Sequence, residues 1–347
     1  MACGLRPLLY APFSSPPRPL PSRSSFPLGP RILPLVPRGP RVSRHLSPPQ
    51  PRALPDIAAA AAVLRDALAD AYLAYPPTWS SAAVTNLSIF VAGAPLLLSG
   101  LSASGVAAAY ILGTLTWRAF GSRGFLLVVA YFLVGTAVTK LKIRQKEALG
   151  VAEKRGGRRG PGSVIGSSAA GCVCALLSIY NVGGGALAGL WRLGFVASFC
   201  TKLSDTVSSE IGKAYGRTTY LVTTFKIVPK GTEGAVSVEG TLAGIVAAMF
   251  LSGVGYSLGQ SDLHKWLWDH MLDQGRDHAT CISEVNIPQC VLCVLASQIA
   301  NFGESIIGAT LQDKEGFEWL NNDVVNVINI SAGGILAVLM QWLLLPA

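Results

Sequence analysis

The sequence predicts an all-α protein, a polytopic integral membrane helical bundle with about seven or eight spans. Half of its 347 residues are hydrophobic and only 14% are charged, whereas a soluble domain is about 25% charged. The mean hydropathy is +0.45. Apolar runs long enough to cross a bilayer recur along most of the chain. Glycine is also abundant, with 37 residues, which is typical of helices that pack closely in lipid.

The N-terminal segment, residues 1–55, differs from the rest of the chain. It holds eight arginines, 15 of the 22 prolines and no acidic residue. This composition predicts a transit peptide, with a disordered basic tail as the alternative. Because so many prolines prevent a long amphipathic helix, a chloroplast is favoured over a mitochondrion. Subtracting the eight charges from the net +9 leaves +1 for residues 56–347, so nucleic-acid binding is not expected.

The remaining chain divides into a linker helix and a transmembrane domain. Residues 56–80 contain an Ala-rich helix that is expected to lie at the membrane surface. Residues 81–347 form the predicted transmembrane domain, which makes the protein a multi-pass chloroplast membrane protein. The candidate spans are residues 82–103, 104–119, 122–139, 163–182, 185–203, 240–259, 288–311 and 325–345. Two of these runs carry polar residues, so the expected count is seven or eight.

A basic loop, residues 140–162, follows the third candidate span. It contains eight basic and two acidic residues, and the positive-inside rule places it on the stromal or cytoplasm-equivalent side. Its arginines Arg155, Arg158 and Arg159, which are spaced by glycines, could also bind phosphate, because guanidinium groups match phosphate oxygens well. Both interpretations stay open: a topology signal alone, or a topology signal that also binds substrate.

The cysteines and histidines predict neither a disulfide framework nor a zinc site. Five of the seven cysteines lie in apolar runs, where a free cysteine behaves as a small hydrophobic residue. Three of the four histidines lie in the polar segment 260–287, but their spacing matches no standard zinc motif. Two tryptophans in the same segment favour an interfacial helix there.

A polar motif begins at the end of the 185–203 run and predicts a helix over residues 202–216. Asp205, Ser208 or Ser209, and Gly212 recur at helical spacing, so one carboxylate shares a face with small residues that let a phosphate or a metal ion approach. Lys213 adds a positive charge. Acidic residues beside a membrane span are costly and are therefore candidate functional residues. The alternative is structural, with Lys202–Asp205 and Glu210–Lys213 as simple ion pairs.

A glycine-rich loop follows this helix, over residues 226–234. Gly231 and Gly234 free backbone N–H groups for an anion, while Lys226 and Lys230 add positive charge. Glu233 supplies a carboxylate. The order of residues is not that of a Walker A motif, and glycines are common in turns. The loop is therefore a candidate phosphate-binding site mainly because it follows the Asp205 helix.

Two later clusters repeat the pattern of polar side chains inside or beside an apolar run. The candidate substrate- or nucleotide-binding residues in them are Asn301, Glu304, Ser305, Asn322 and Asn326, with Asp323 as a further catalytic candidate. Amides at the start of a span could be simple helix caps. Amides and acids without partners are costly beside a membrane, which favours a role in ligand binding.

Five motifs in this order resemble a known family. They are RRGPGSVIGSSAAG, SDTVSSEIG, VPKGTEGAVSVEGT, NFGESIIGA and NNDVVNVINISAGG, and they resemble the transmembrane protein 19 family of integral membrane proteins over roughly residues 85–345. More distantly, the Asp205 motif and the Lys-Gly-x-Glu-Gly loop are similar to membrane polyprenol kinases and phosphatidate cytidylyltransferases, which use CTP. Val207 and Ser208 depart mildly from the pattern of those enzymes, and this departure leaves the nucleotide open.

The resemblance, together with the plastid leader, implies a phosphotransferase, an isoprenoid monophosphate kinase. It would transfer a phosphoryl group from a nucleoside triphosphate, with CTP the expected donor, to phytyl phosphate. The product, phytyl diphosphate, would serve tocopherol (vitamin E) and phylloquinone biosynthesis. Asp205 and Glu233 would hold Mg²⁺. Lys226, Lys230 and the loop glycines would bind the triphosphate, Arg158 and Arg159 the monoester, and membrane-embedded helices the isoprenoid tail.

The residue types favour a phosphorylated acceptor over a free alcohol. A phosphate monoester has a second pKa near 6, so it is already an anionic nucleophile near neutral pH, whereas an alcohol needs a base. No histidine occurs in the five motifs. Two alternatives remain: a CTP-dependent phytol or polyprenol kinase or cytidylyltransferase, and a membrane transporter with functional intramembrane acids. The oligomeric state is left open.

Overall fold

The computed structural model describes residues 57–74, 76–260, 285–312 and 314–345. The predicted transit peptide, residues 1–55, and nearly all of the histidine-containing segment 260–287 lie outside these residues. The described chain is predominantly helical, which confirms the predicted fold class. Its α-helices are α1 Ile57–Leu73, α2 Trp79–Ala92, α3 Ala94–Gly100, α4 Ala103–Lys140, α5 Ile143–Ala148, α6 Pro161–Ile179, α7 Gly184–Tyr215, α8 Val238–Gln260, α9 Ile287–Thr310 and α10 Asn322–Leu344.

The first apolar run, expected as one span over residues 82–103, is broken. Helices α2 and α3 meet at Gly93 with a bend of 81°. The glycine ends α2, and a proline follows at once in the first turn of α3. Proline suits a first helical turn but cannot continue a preceding helix. The pair is therefore a broken span or a re-entrant segment.

The second and third apolar runs, by contrast, form a single helix of 38 residues, α4. Gly121 lies between them with φ 60°, a left-handed conformation that marks a kink rather than a loop. Within the described residues, five helices are long and apolar enough to cross a membrane, or up to six if α2 and α3 form one span. This number does not confirm seven or eight spans.

Helix α7 is the centre of the bundle. It packs against α4, α6, α8, α9 and α10, and its middle section from Leu193 to Ser204 is buried. Small residues bring it close to α8: a Cβ atom placed on Gly240 would lie only 2.5 Å from the Ser208 carbonyl oxygen. Part of the small-residue face that was predicted to admit a ligand therefore serves helix packing.

A short hairpin connects α7 to α8 and touches α9. Its strands are β1 Tyr220–Leu221 and β2 Ala235–Val236, paired antiparallel. Gly234, at the end of the glycine-rich loop, has φ 72°, and a Cβ there would lie 2.4 Å from both Ala309 N and Ser305 O. Only glycine lets the loop rest directly on α9 in this way. This contact holds the loop at the C-terminal part of α9.

Candidate functional site

A cavity of about 950 Å³ lies where the C-terminal half of α7 meets the glycine-rich loop, α9 and the starts of α6 and α10. All but one of the candidate residues from the sequence line this cavity, although they come from five separate motifs. The residues that line it are Arg158, Arg159, Asp205, Ser209, Gly212, Lys213, Lys230, Gly231, Glu233, Gly234, Asn301, Glu304, Ser305, Asn322, Asp323 and Asn326.

The exception is Lys226. Its side chain is exposed and does not line the cavity. Its carbonyl oxygen accepts a hydrogen bond of 2.9 Å from Leu221 N, which places the residue in the turn that closes the hairpin. Sequence spacing treated Lys226 and Lys230 alike, but the turn separates them.

Lys202 lines the cavity and is almost completely buried. Its Nζ donates hydrogen bonds of 2.5 Å to Asp205 Oδ2 and to Asn326 Oδ1. A buried ammonium group is costly unless it is paired and hydrogen-bonded, and here two motifs supply its partners. The predicted Lys202–Asp205 ion pair exists, but it also orients a carboxylate toward the cavity. The sequence interpretation offered this ion pair only as the structural alternative to a catalytic Asp205.

Glu304 of α9 is the second carboxylate of this group. It lies directly beside Asp205 and has Glu233 as a further electrostatic neighbour. Asn329 Nδ2 donates to Glu304 Oε2 and, at 2.9 Å, to Asn301 Oδ1. Helices α7, α9 and α10 therefore each contribute side chains to one polar cluster.

The sequence interpretation missed two members of that cluster, Asn329 and Ser204. Ser204 Oγ accepts hydrogen bonds of 3.0 Å from both Gln298 Nε2 and Asn301 Nδ2. Asn329 lies three residues after Asn326 and could have been found, because that spacing extends the same helix face. Ser204 carried no comparable signal, since a serine inside an apolar run usually bonds to its own helix.

The carboxylates offer hard oxygen ligands of the kind that Mg²⁺ prefers. Among the described residues, no group of three or more His, Cys, Asp or Glu side chains is arranged to hold a metal ion by itself. Mg²⁺ usually takes one or two carboxylates and completes its shell with water and substrate phosphates. Asp205 with Glu304 or Glu233 fits that pattern, and Glu304 is the residue that the predicted pair of Asp205 and Glu233 left out.

The two arginines of the basic loop differ in how firmly they are held. Arg158 is exposed, whereas Arg159 is partly buried. Arg159 Nη1 donates to Tyr131 Oη at 2.7 Å, and its backbone N–H donates to Gly100 O at 2.9 Å. A Cβ on Gly135 would lie 2.8 Å from Arg159 Nη2, so the guanidinium group lies across α4 where a glycine makes room. Of the two arginines, Arg159 is therefore the one whose guanidinium group is held in a fixed position.

A buried ion pair that the sequence did not predict anchors the basic loop. Lys146 and Glu210 form a direct salt bridge, and both side chains are almost fully buried. Lys146 Nζ also donates to the Thr139 carbonyl oxygen at 2.6 Å. Glu210 binds Lys213 at 3.3 Å, as its i+3 spacing predicted, and Lys213 reaches Glu153 at 3.7 Å. This chain of charges connects the segment before Arg159 to α7.

At the start of α10, the helix-cap alternative is right for one amide. Asn321 Oδ1 accepts hydrogen bonds from Asp323 N and Val324 N at 3.0 and 3.1 Å, so Asn321 is the N-cap. Asn326 instead binds Lys202. Asp323 packs against the first turn of α6, where a Cβ on Gly162 would lie 2.5 Å from Asp323 Oδ2. A carboxylate at that end of α6 is stabilised by the helix dipole.

This cavity is built from motifs that run through most of the chain, and the comparison with known families covers the same region. Residues 86–334 match the family described as integral membrane protein DUF92. The chain belongs to this family. The membership agrees with the resemblance drawn from the five motifs, all of which lie within or at the edge of the matched region.

DUF92 relatives are found in distant organisms. The chain is 67% identical over 269 residues to protein VTE6, chloroplastic, of Arabidopsis thaliana, covering 78% of this chain and 74% of that protein. It is 43% identical over 267 residues to an uncharacterized membrane protein of Synechocystis, covering 77% and 92%. A Methanocaldococcus jannaschii membrane protein is 30% identical over 242 residues, covering 69% and 85%. No solved structure matches.

The similarity to the Arabidopsis protein and the apolar helices together give the location. The Arabidopsis relative is chloroplastic, and the described part of the chain contains several helices able to span a membrane. The protein is therefore a multi-pass chloroplast membrane protein, as the acid-free leader predicted.

Proposed function

We propose that the protein is a membrane phytyl-phosphate kinase. It transfers a phosphoryl group from a nucleoside triphosphate, with CTP the expected donor, to phytyl phosphate, and the product is phytyl diphosphate. The observation that carries this proposal is one cavity that combines carboxylates, buried and semi-exposed cations and a glycine-rich loop in a membrane protein. The similarity to protein VTE6 supports a role in tocopherol biosynthesis.

The residues suit phosphoryl transfer because this reaction needs positioning and charge neutralisation more than covalent catalysis. Lys230, Lys213 and the backbone of Gly231 and Gly234 face the cavity and can bind the triphosphate. Arg159 is held on another side of the cavity and can bind the phosphate monoester. Donor and acceptor would thus bind in the same cavity as the Asp205 carboxylate.

The acidic group supports a divalent cation near the transferred phosphoryl group. Bound Mg²⁺ would neutralise phosphate charge as the phosphoryl group moves. Lys202 holds Asp205 in place, and Asn329 holds Glu304 in place, each by a direct hydrogen bond. Both carboxyl groups are therefore positioned at the cavity before a cation binds.

The test is a product assay with detergent-purified protein and radiolabelled nucleotides. We expect phytyl diphosphate from phytyl phosphate and CTP, and loss of turnover when EDTA removes Mg²⁺ and its recovery when Mg²⁺ is returned. Phosphorylation of free phytol instead would indicate a phytol or polyprenol kinase. Release of diphosphate with a cytidylyl product would indicate a cytidylyltransferase. Either of these results would overturn the proposed reaction.

A transporter is the second candidate from another functional class, favoured by the intramembrane carboxylate Glu304. Uptake of a solute into proteoliposomes without consumption of nucleotide would identify a transporter rather than a kinase. The glycine-rich loop is evidence against a transporter, because a carrier for protons or ions needs no loop that presents backbone N–H groups and Lys230 to a cavity.

The arginines provide a prediction about the acceptor. Arg159→Gln should raise the KM for phytyl phosphate by about tenfold or more, since a lost hydrogen bond to a charged group costs roughly 1.5–3 kcal/mol. Arg158→Gln should have a smaller effect, because that side chain is exposed and screened by solvent. Steady-state kinetics at saturating nucleotide measure both. Arg217→Gln, an exposed arginine outside the cavity, is the control. Equal KM values for all three variants would show that neither Arg158 nor Arg159 binds the phosphate group of phytyl phosphate.

A further inference from the structure

A second, smaller cavity lies between α3, α4 and α6. Its volume is about 80 Å³, and its wall is almost entirely apolar, with Leu97, Leu101, Ala109, Val128 and Phe132 among the side chains that form it. Water is poorly accommodated in such a space because it needs two or more polar partners. The cavity therefore suits a hydrocarbon group.

Two residues connect this apolar cavity to the large polar one. Arg159 and Ser167 line both cavities, so the two meet at these side chains. Tyr131 lines the apolar cavity with its ring and accepts the Arg159 hydrogen bond with its hydroxyl group. The guanidinium group thus lies at the boundary between a polar and an apolar compartment.

A molecule with a phosphate head and a hydrocarbon chain matches this boundary. We infer that the apolar cavity binds the first part of the isoprenoid chain of the acceptor, with Arg159 on its phosphate; this rests on the proposed function. Because an apolar cavity of about 150 Å³ can hold benzene, a volume of about 80 Å³ holds roughly three carbon groups. The cavity therefore accommodates part of the first isoprenoid unit.

The rest of the chain leaves the cavity toward the lipid. Helix α3 forms the outer wall, and its Leu96 and Leu98 side chains are 51% and 49% exposed. The break between α2 and α3 makes α3 short, so a long alkyl chain has only a brief path from the cavity to the bilayer. Recognition is then confined to the phosphate and the first unit, while the distal chain remains in lipid.

Photolabelling tests the cavity independently of turnover. The probe is a geranyl phosphate analogue with a diazirine on its first isoprenoid unit, applied to the full-length protein in detergent and mapped by mass spectrometry. We expect labelled residues on α3, α4 or α6, and competition by unlabelled phytyl phosphate. Labelling confined to other helices, or competed by phospholipid but not by phytyl phosphate, would overturn the inference.

Two variants of α4 form a matched pair for the same experiment. Ala109 lines the apolar cavity, whereas Ala107, two residues earlier, is exposed and does not line it. Ala109→Phe should fill the cavity and reduce labelling about tenfold, the effect of losing roughly two methylene groups from apolar contact. Ala107→Phe should label as the wild type does. Equal labelling of both variants would contradict the inference.

Kinetics separate this inference from the proposed reaction. If the wild type turns over phytyl phosphate, Ala109→Phe should raise its KM about tenfold and leave the KM for nucleotide unchanged. If Ala109→Phe turns over phytyl phosphate with a normal KM, the apolar cavity does not bind the isoprenoid chain, although the protein is still a kinase. If labelling follows the expected pattern but no turnover occurs, the cavity binds the isoprenoid chain and the proposed kinase activity is wrong.

Discussion

The Asp205→Asn variant should lose phosphoryl transfer by more than about a hundredfold while the protein still accumulates in the membrane. Asp205 contacts Lys202, lies beside Glu304 and faces the cavity, so it is placed to bind a cation near the transferred group. An amide retains the size of the side chain and a hydrogen bond acceptor for Lys202. It removes the negative charge that a divalent cation needs.

Thermal unfolding distinguishes this loss of activity from unfolding of the protein. Thermal unfolding in detergent should show a stabilisation by nucleotide that depends on Mg²⁺ in the wild type, and only the Mg²⁺-dependent part should disappear in Asp205→Asn. Glu315→Gln, an exposed carboxylate outside the cavity, is the matched control and should behave as the wild type. Normal turnover by Asp205→Asn would show that this carboxylate is not catalytic.

The Lys146→Met variant should be destabilised by up to about 3–5 kcal/mol, because it removes the direct partner of the buried Glu210 carboxylate and leaves only the longer contact to Lys213. The thermal unfolding temperature of the purified protein measures this effect. The double variant Lys146→Met with Glu210→Leu should recover much of the loss, since replacing both members of a buried pair by apolar groups is often close to neutral.

Lys314→Met provides the control for that experiment. Lys314 is exposed, and its replacement should change the unfolding temperature little. A single Lys146→Met variant as stable as this control would mean that the buried pair contributes nothing to the fold. A double variant no better than the single one would place the main effect in the lost Lys146–Thr139 contact.

The buried pair also bears on the site. The segment that contains Lys146 leads to Arg159, and Lys213 extends the same ion pairs to Glu153 at the cavity. Lys146 looked like one of eight basic residues in a topology signal. The structure shows instead that Lys146 forms a buried ion pair, that Arg159 is held beside Tyr131, and that others, such as Arg158, are exposed. Charge counting could not separate these roles, because every lysine and arginine contributes equally to it.

The helix boundaries were also only partly predictable from the sequence. Hydropathy located the apolar runs well, but it treated Gly121 as the end of a span and passed over Gly93. Glycine allows both a kink within a helix and a sharp break between two helices. The neighbouring residues and the packing against other helices decide which one occurs. For this reason the fold class was predictable and the span count was not.

The candidate residues were identifiable from the sequence because polar groups are costly inside apolar runs. Asp205, Glu304 and Asn326 each stood out in this way, and all three line one cavity. Their mutual contacts were not predictable. Lys202 binds Asn326, 124 positions away in the chain, and Asn329 of α10 binds Glu304 and Asn301 of α9. Local spacing contains no information about such distances.

The sequence alone therefore determined the membrane environment, the organelle and the kind of side chains that the site uses, because composition and local polarity depend on single residues and short segments. Tertiary structure decided which of these side chains meet, which glycines serve packing, and that an apolar cavity adjoins Arg159. Those properties depend on how α3, α4, α6, α7, α9 and α10 pack together, and packing depends on the shapes of surfaces that are far apart in the chain.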